Sequence, residues 1–292
     1  MEPKPNDTPL VAIVGETGAG KTALALWLAE RFQGEIICAD SRTVYEGMDI
    51  GTAKPTAAEQ AQVPHHVLDV VLPAQHFAVS DFKQLADEAV EDITRRGKVP
   101  FLVGGTGLYV DAVVHDYQFR GAANPAVRRE WGGASAEQLQ AALTARGIPL
   151  PSNASNPRHL IRTLETAGTP PAAGTSRRRP VLYIGVSIPR EALRAKIVRR
   201  VDNMVAQGLV DEVKKLVSTY GWDVPALQAP GYKAFRSYLE GNATLDQAKE
   251  AFVQADMQLA KRQRTWFKRN KSIHWISKRE EAVDLVTTIL SK

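Results

Sequence analysis

A glycine-rich stretch near the start of the chain has the residue types and spacing that bind phosphate. Residues 15–22 read GETGAGKT and fit the pattern G-x-x-x-x-G-K-[ST]. The glycines allow backbone N–H groups to converge on a phosphate, Lys21 supplies a positive charge, and the Thr22 hydroxyl can bind Mg²⁺. The loop does not specify what the phosphates are attached to. The predicted diphosphate site consists of Gly15, Glu16, Thr17, Gly18, Ala19, Gly20, Lys21 and Thr22.

Polar residues follow a second apolar run, in the stretch ICADSRTVYEGMDIGTAKP at residues 37–55. Asp40 stands at the end of that run and is expected close to the phosphate loop. Its carboxylate could bind Mg²⁺, as in nucleotide hydrolases, or act as a general base that removes a proton from an attacking nucleophile. The residues alone leave both roles open. Ser41, Arg42 and Thr43 add a polar edge suited to a base or a ribose.

A third stretch, FLVGGTGLYV at residues 101–110, again places glycines at the end of an apolar run. Glycines there can form a tight turn or allow a ligand to approach the backbone, and Thr106 offers a hydroxyl. His65 and His66 are different in kind: because they are adjacent, their side chains face different ways, and we interpret both as structural.

Positive charge is concentrated in the segment KRQRTWFKRNK, residues 261–271. On a helix, at about 100° per residue, its basic side chains share one face and the apolar side chains of residues 252–267 share the opposite face. The pattern predicts a helix that packs through one face and meets phosphate with the other, from a leaving diphosphate or a polynucleotide. The basic set is Lys261, Arg262, Arg264, Lys268, Arg269 and Lys271.

The hydrophobic pattern predicts the elements that position these residues. Short apolar runs such as PLVAIVG, EIICAD, VPFLVGG and VLYIGVSI alternate with helical segments, and the chain after the last run is predicted to be mostly helical. This alternation predicts an α/β fold with a parallel sheet flanked by helices, like that of P-loop NTPases. Ligands of such sheets bind at the carboxyl ends of the strands, where Gly15, Asp40 and Thr106 all fall.

Residues 115–156 interrupt that pattern. They contain no strong strand signal, and their helical segments are short and polar. They therefore predict a small inserted all-helical domain, with the core made of residues 1–114 and 157–292.

Composition excludes several classes of protein. The 292 residues contain no uninterrupted apolar stretch that approaches the roughly 20 residues of a membrane-spanning helix, and the polar start MEPKPNDTPL does not resemble a signal peptide. Cys38 is the only cysteine, so an internal disulfide and a multi-cysteine zinc site are excluded. Positive charge is concentrated in the C-terminal half, and on charge alone this is equally consistent with an anionic partner there and with a solvated surface that has no partner. We expect a cytoplasmic protein with no membrane partner.

The order of the motifs resembles that of the bacterial tRNA dimethylallyltransferases, also called tRNA isopentenyltransferases. The resemblance extends from about Pro9 to Trp275, and its most specific stretches are GMDIGTAKP and GGTGLY, with NPRHLIRTLE, GYKAF and AKRQRTWFKR further along. It implies that the glycine-rich loop and Mg²⁺ hold dimethylallyl diphosphate. It also implies transfer of the dimethylallyl group to N6 of the adenosine on the 3′ side of the anticodon, at tRNA position 37.

The resemblance also assigns roles to individual residues. Asp40 matches the family's general base, Thr106 matches a threonine that orients the amine, and Arg190 matches an arginine that assists the diphosphate together with Lys21. The insertion corresponds to a small domain that grips the anticodon stem-loop, and the target adenine has to be flipped out of its stack. The expected tRNA contacts are Asp40, Ser41, Arg42, Thr43, Arg158, His159, Leu160, Ile161, Arg162, Gly231, Tyr232 and Lys233, with Lys261, Arg262 and Arg264 added from the basic helix.

Three features depart from the family pattern. Thr43 stands where the family usually has Gln, His159 stands where it usually has Arg, and the insertion is shorter than usual. An arginine triplet at Arg177–Arg179 could compensate for the shorter insertion. We expect these departures to affect RNA recognition rather than the chemistry, since none of them involves Lys21, Asp40 or Thr106.

Three alternative functions are weighed against a monomeric tRNA-modifying enzyme. A P-loop kinase or NTPase explains the loop and Asp40, but leaves GMDIGTAKP, GGTGLY and the basic helix without a role. An enzyme that prenylates free AMP or ADP needs neither the insertion nor the basic helix. A non-catalytic RNA-binding module leaves the loop and Asp40 unexplained.

Overall fold

Six parallel strands form one sheet in the larger of the two units into which the chain divides. The larger unit comprises Met1–Asp116 and Ser176–Lys292, and the smaller unit comprises Tyr117–Thr175. The computed structural model describes residues 8–119, 124–168 and 179–291.

Strands and helices alternate along the first half of the larger unit, and helices dominate the second half. The strands are β1 (Leu10–Gly15), β2 (Gly34–Cys38), β3 (His65–His66), β4 (Val99–Gly104), β5 (Val181–Val186) and β6 (Ile273–Ile276). The helices are α1 (Lys21–Arg31), α2 (Ala57–Gln62), α3 (Val79–Arg95), α4 (Gly107–Val114), α5 (Pro125–Trp131), α6 (Ala136–Ala145), α7 (Pro157–Glu165), α8 (Arg190–Ala206), α9 (Leu209–Tyr220), α10 (Pro230–Lys233), α11 (Arg236–Leu239), α12 (Leu245–Phe267) and α13 (Arg279–Leu290), with a 3₁₀ turn at Ala226–Gln228.

The strand order is β3-β2-β4-β1-β5-β6, and every neighbouring pair is parallel. All residues of β1, β2 and β4 are buried, as expected for a parallel sheet that is covered on both faces. Along β1, Leu10 and Ala12 join one apolar cluster, whereas Val11 and Ile13 join the cluster on the opposite face. The predicted α/β fold with a parallel sheet is confirmed.

The sheet topology brings the ends of three strands together. β1 lies between β4 and β5, and β4 lies between β1 and β2, so the carboxyl ends of β1, β2 and β4 are neighbours. Helices α1 and α13 cover one face through residues such as Leu28 and Val286, while α3, α4, α8, α9 and α12 contribute to the cluster on the other face. Among the described residues, no helix is long and apolar enough to cross a membrane.

The C-terminal part of the chain contains a strand that the sequence did not predict. β6 adds to the edge of the sheet beside β5, with Ile273 and Ile276 buried and the two residues between them exposed. The preceding helix α12 ends at Phe267, so the predicted continuation of the basic helix to Lys271 is wrong. β6 is only four residues long, which is too short for a clear periodic signal in the sequence.

The smaller unit is helical over its described residues and has its own apolar core. Leu139 and Leu143 of α6 pack with Leu160 and Leu164 of α7. Because α7 completes this core, the insertion extends past the predicted boundary at residue 156 and includes Pro157–Glu165. The reason is local: the spacing of Leu160 and Leu164 gives α7 one apolar side, which α6 covers.

A buried carboxylate fixes the amino end of β2. The Glu35 side chain is 2% exposed and forms ion pairs with Arg96 and Lys98, and it also bonds to the His66 ring at 2.7 Å. Hydrogen bonds from Arg96 hold the pKa of Glu35 far below its usual range, against the opposing effect of burial. His65 contacts the Val63 carbonyl at 2.7 Å, so both histidines have structural partners, as predicted.

We expect Glu35→Gln to lower the free energy of unfolding at about pH 7 by about 2 kcal/mol, because charge-assisted bonds to a buried carboxylate are lost. The folded-state pKa is depressed, so the stabilisation is present above the unfolded value of about 4.3 and fades as the pH falls below it. Urea unfolding of both proteins should therefore show a smaller difference at about pH 3 than at about pH 7. An unchanged difference between the two pH values would contradict the assignment.

Candidate active site

The phosphate loop, residues 16–20, joins β1 to α1. Gly20 caps α1 with a φ of 102°, a left-handed conformation that glycine adopts without strain. The following helix therefore starts with its free N–H groups directed towards the loop. Lys21 Nζ donates a hydrogen bond to the Glu16 carbonyl oxygen at 2.8 Å, which keeps the ammonium beside the loop.

The surroundings of Lys21 disfavour the charged form of its side chain. Burial lowers the pKa of Lys21 to about 8, the nearby Arg200 acts in the same direction, and Asp40 and Glu16 oppose the change. An anion bound in the loop favours the charged form, so ligand binding and protonation of Lys21 reinforce one another.

Glu16 and Arg264 form a buried ion pair that connects the loop to α12. The Glu16 side chain is 1% exposed, and Arg264 donates to its two oxygens at 2.7 and 2.5 Å. Arg264 also donates to the Ile188 carbonyl at 2.8 Å. Arg264 was predicted to contact tRNA, but its guanidinium is committed to Glu16. The Glu16 carboxylate likewise faces Arg264, which leaves only its backbone for a diphosphate.

Asp40 and Thr106 lie together at the ends of neighbouring strands. Asp40 Oδ1 accepts a hydrogen bond from the Arg42 N–H at 2.8 Å. The Ser41 N–H donates to Thr106 Oγ1 at 3.1 Å, and the Thr106 N–H donates to the Ala39 carbonyl at 3.2 Å. These bonds join the two turns, so the predicted neighbours are brought together.

Two cavities open on these residues. The donor cavity, of about 900 Å³, extends over Gly18, Gly20, Lys21 and Thr22 of the phosphate loop. The acceptor cavity, of about 360 Å³, lies beside Thr106. The residues that border both cavities, and therefore mark where the two meet, are Thr17, Asp40, Thr52, Gly105 and Arg200.

Arg200 was not predicted from the sequence. It projects from α8 to the boundary of the two cavities and donates to Asp256 Oδ2 of α12 at 2.5 Å. Burial raises the pKa of Asp256, and the charge of Arg200 opposes that rise. The predicted diphosphate arginine, Arg190, is instead the exposed first residue of α8, about 15 Å along the helix from Arg200 at 1.5 Å per residue. Arg200, and not Arg190, therefore borders the donor cavity.

Gln263 of α12 was also missed. Its Oε1 accepts the Thr17 N–H at 2.7 Å, and the side chain is 7% exposed. The amide lies directly against Gly105: a Cβ there would lie 2.2 Å from Gln263 Nε2. Gly107 makes similar room for Trp266, whose Nε1 donates to Asp111 at 2.9 Å. The GGTG turn therefore serves as a packing surface for α12 as well as a border of the acceptor cavity.

The residues predicted to contact tRNA fall into three groups. Those that border the acceptor cavity are Asp40, Ser41, Arg42, Gly231, Tyr232 and Arg262. Those that are exposed elsewhere are Lys233, Lys261, Arg158 and His159. Those whose side chains are buried, packed or held in an ion pair are Thr43, Leu160, Ile161, Arg162 and Arg264.

Three members of the last group correct the prediction directly. Leu160 is fully buried in the core of the smaller unit, where Ile161 packs against it, so neither side chain is available as part of a polar RNA surface. Thr43 is 5% exposed and borders the donor cavity rather than the acceptor cavity. Arg162 donates to Glu165 at 2.8 Å. Of the triplet expected to compensate for the short insertion, Arg177 and Arg178 lie outside the described residues.

Comparison with known proteins assigns the chain and its fold to one family. Residues 43–270 match the family model described as IPP transferase. The chain belongs to the IPP transferase family. It is 44% identical over 277 residues to a tRNA dimethylallyltransferase of Roseiflexus sp., and the match covers 89% of this chain and 90% of that relative. The family resemblance predicted from the motifs is confirmed.

Solved structures agree with this IPP transferase fold. The full-length tRNA isopentenylpyrophosphate transferase from Bacillus halodurans is similar with a TM-score of 0.76 and 38% identity, covering 98% of this chain and 97% of that one. A eukaryotic dimethylallyltransferase, described as acting on tRNA, shares the fold with a TM-score of 0.82 at 24% identity, over 98% of this chain and 80% of that one.

Oxygen ligands for a metal ion are present in the donor cavity of this IPP transferase. The exposed Thr22 side chain and Asp40 both border it. In the described part of the chain, no three His, Cys, Asp or Glu side chains are grouped as a metal site. A hard cation that takes few ligands from protein and the rest from phosphate and water fits this arrangement.

The low pKa of Lys21 predicts how diphosphate affinity depends on pH. Since the free ammonium titrates at about 8, we expect the affinity for inorganic diphosphate to fall as the pH rises above that value, approaching about tenfold per pH unit. Lys21→Arg remains charged and should not show this decrease, even if it binds more weakly. The ratio of the two dissociation constants, measured by calorimetry across the pH range, cancels the titration of the ligand itself. A ratio that is independent of pH would refute the assignment.

Proposed function

We propose that this IPP transferase moves a dimethylallyl group from dimethylallyl diphosphate to N6 of the adenosine at tRNA position 37. The products are N6-dimethylallyladenosine and diphosphate. The observation that carries the proposal is the shared border of the two cavities, at Asp40 and Arg200. One cavity offers phosphate-binding groups and the other offers polar and aromatic groups, so donor and acceptor meet beside a carboxylate.

The donor side is built to stabilise a leaving diphosphate. The backbone N–H groups at the start of α1, the Lys21 ammonium and the Arg200 guanidinium all converge on the donor cavity. Negative charge that develops on the departing oxygen is therefore met by groups already in place, which is where most of the rate enhancement is expected. Mg²⁺, held by the Thr22 hydroxyl and phosphate oxygens, would neutralise further charge on the diphosphate.

The acceptor side is built to activate an amine. The bond from N6 to the allylic carbon forms as the bond from that carbon to the diphosphate oxygen breaks, and the N6 proton passes to Asp40 as general base. Thr106 Oγ1 accepts the Ser41 N–H, which leaves its own hydroxyl proton free to orient the acceptor. Trp266 and Arg262 border the same cavity and offer flat surfaces for a base that has been flipped out of its stack.

Exposed cations supply the RNA contacts in this proposal. Lys261, Arg262 and Lys268 are exposed near the end of α12, where they can meet phosphates. In the smaller unit, the exposed Arg158 and His159 support its proposed role in gripping the anticodon stem-loop. The predicted monomeric state and cytoplasmic location stay predictions.

Incubation with unmodified tRNA, Mg²⁺ and labelled dimethylallyl diphosphate tests the function. We expect label in the RNA, in a nucleoside that is absent from the unreacted tRNA. Label on free AMP or ADP instead would support prenylation of mononucleotides. Phosphate release from ATP that is indifferent to the allylic diphosphate would support a kinase or NTPase.

Asp40→Asn should reduce transfer by about 1,000-fold, because the amide keeps the hydrogen bond to the Arg42 N–H but cannot accept the N6 proton. Binding of tRNA and of inorganic diphosphate should remain close to normal. Asp246→Asn, at an exposed position on α12, serves as the matched control and should retain full activity. Near-normal turnover of Asp40→Asn would remove Asp40 from the general-base role.

The cationic end of α12 predicts a salt-dependent interaction with tRNA. The affinity of Lys261→Ala for tRNA should depend less steeply on salt. The magnitude of the slope of log affinity against log salt should fall by about 0.7, the value for one lost phosphate contact on single-stranded RNA. Lys278→Ala is the control, because this exposed lysine precedes α13, which packs on the opposite face of the sheet. Filter binding across a salt series measures both slopes, and equal slopes for Lys261→Ala and the wild type would exclude Lys261 from the interface.

A further inference from the structure

One loop forms part of both cavities. Residues 47–55, named here the dividing loop, contribute Asp49, Ile50 and Lys54 to the donor cavity and Gly51 to the acceptor cavity. Thr52 borders both. The position of this loop therefore sets the shape of the passage in which donor and acceptor meet.

A single carboxylate from outside the cavities holds the middle of the dividing loop. Glu212, in the first turn of α9, accepts hydrogen bonds from the Asp49 N–H at 2.9 Å and the Ile50 N–H at 2.7 Å with one oxygen. Its other oxygen accepts the Gly51 N–H at 2.9 Å and the Tyr232 hydroxyl at 2.6 Å. Three consecutive backbone donors form a concave anion site, and Glu212 is the anion.

The same carboxylate couples the dividing loop to the acceptor cavity. Tyr232 is 1% exposed, belongs to α10 and borders that cavity. Its ring lies directly against the loop, because a Cβ on Gly51 would come within 2.6 Å of Tyr232 Cζ. The Glu212 carboxylate thus binds both the dividing loop and Tyr232 of α10, which borders the acceptor cavity.

The far end of the dividing loop has a separate anchor. Lys54 is 8% exposed and donates to the Tyr45 carbonyl at 2.9 Å and to Asp49 Oδ1 at 2.6 Å, and it also pairs with Asp69. Lys54 therefore holds this end of the loop, and the Asp49 side chain, without Glu212, so loss of the Glu212 contacts is expected to displace Ile50 to Thr52 more than this end.

We propose that Glu212 is a positioning residue for prenyl transfer: it holds the dividing loop and Tyr232 where the reacting carbon and nitrogen come into line. This inference rests on the proposed function. Glu212 borders neither cavity, so it acts through the loop and through Tyr232. Displacement of a positioning group by about 1 Å is enough to lower turnover by about 100-fold.

Glu212→Gln is the principal test. The amide has one accepting oxygen, so in either orientation its NH₂ group faces at least one backbone N–H donor of the dividing loop: those of Asp49 and Ile50, or that of Gly51. The Tyr232 hydroxyl can turn to accept, but the backbone N–H groups cannot, so at least one bond to the loop is lost. We expect kcat for an anticodon stem-loop RNA to fall by about tenfold or more, with KM for dimethylallyl diphosphate within about threefold of the wild type, since the phosphate loop is untouched. Unchanged kcat, or a change confined to KM, would overturn the proposal.

Hydrogen exchange gives a readout that does not depend on activity. The amides of Asp49, Ile50 and Gly51 should exchange faster in Glu212→Gln, while those of β1 and β4 keep their wild-type rates. If the wild type transfers no prenyl group, the proposed function fails, yet the exchange measurement still tests whether Glu212 holds the loop. Wild-type exchange at all three amides in the variant would show that it does not.

Glu35→Gln is the matched control, since it also replaces a buried, multiply bonded carboxylate but at the opposite end of β2 from Asp40. It should lower stability without lowering kcat at a temperature where it is folded.

Tyr232→Phe is the milder variant and removes one of the four bonds. It should lower kcat by about threefold, and adding it to Glu212→Gln should lower kcat no further, because Tyr232 acts through the same carboxylate. Independent, multiplicative effects of the two substitutions would contradict the coupling.

Discussion

The ion pair between Glu16 and Arg264 is the interaction on which the site depends. A phosphate loop has to present positive charge and N–H donors, and a carboxylate in its middle would repel the ligand if it faced the same way. Arg264 removes that conflict by drawing the Glu16 carboxylate to the other side of the loop and neutralising it there. In doing so it fixes α12 against the loop, and α12 brings Gln263, Trp266 and Asp256 to the strand ends.

Charge at the meeting point of the cavities is balanced rather than simply positive. Lys21 and Arg200 come from two different helices, and Asp40 and Asp256 stand close enough to influence them. Arg200 is shared between Asp256 and the open border of both cavities, so the same guanidinium is positioned by a buried carboxylate and remains available to a phosphate. The donor cavity therefore takes Lys21 from α1 and Arg200 from α8, and Asp256 of α12 holds Arg200 in position.

The sequence was sufficient to predict those parts of the site that are set by local sequence patterns. The phosphate loop, Asp40 and Thr106 each follow an apolar strand, and the rule that parallel strands end at one edge places them together. Arg200 and Gln263 lie on long helices whose rotation is set by contacts with residues far away in the chain, and nothing in a basic run such as residues 194–200 distinguishes the arginine that faces inwards. Arg264 was misassigned for a related reason. A helical wheel gives the direction of a side chain, but it does not show that the buried Glu16 carboxylate lies in that direction. The boundary of the insertion was misplaced because the sequence of α7 is compatible with a helix in either unit. Only its packing on α6 shows which unit it belongs to.

The glycines of the GGTG turn have a consequence for how α12 can pack. A Cβ on Gly105 would come within 2.2 Å of the Gln263 amide, and one on Gly107 within 2.2 Å of the Trp266 ring, so the turn and α12 lie in close contact. Alanine at residue 107 would require the Trp266 ring to move, whereas alanine at residue 105 could be accommodated by rotation of the Gln263 amide. The packing of α12 is therefore constrained by a turn more than 150 residues earlier in the chain.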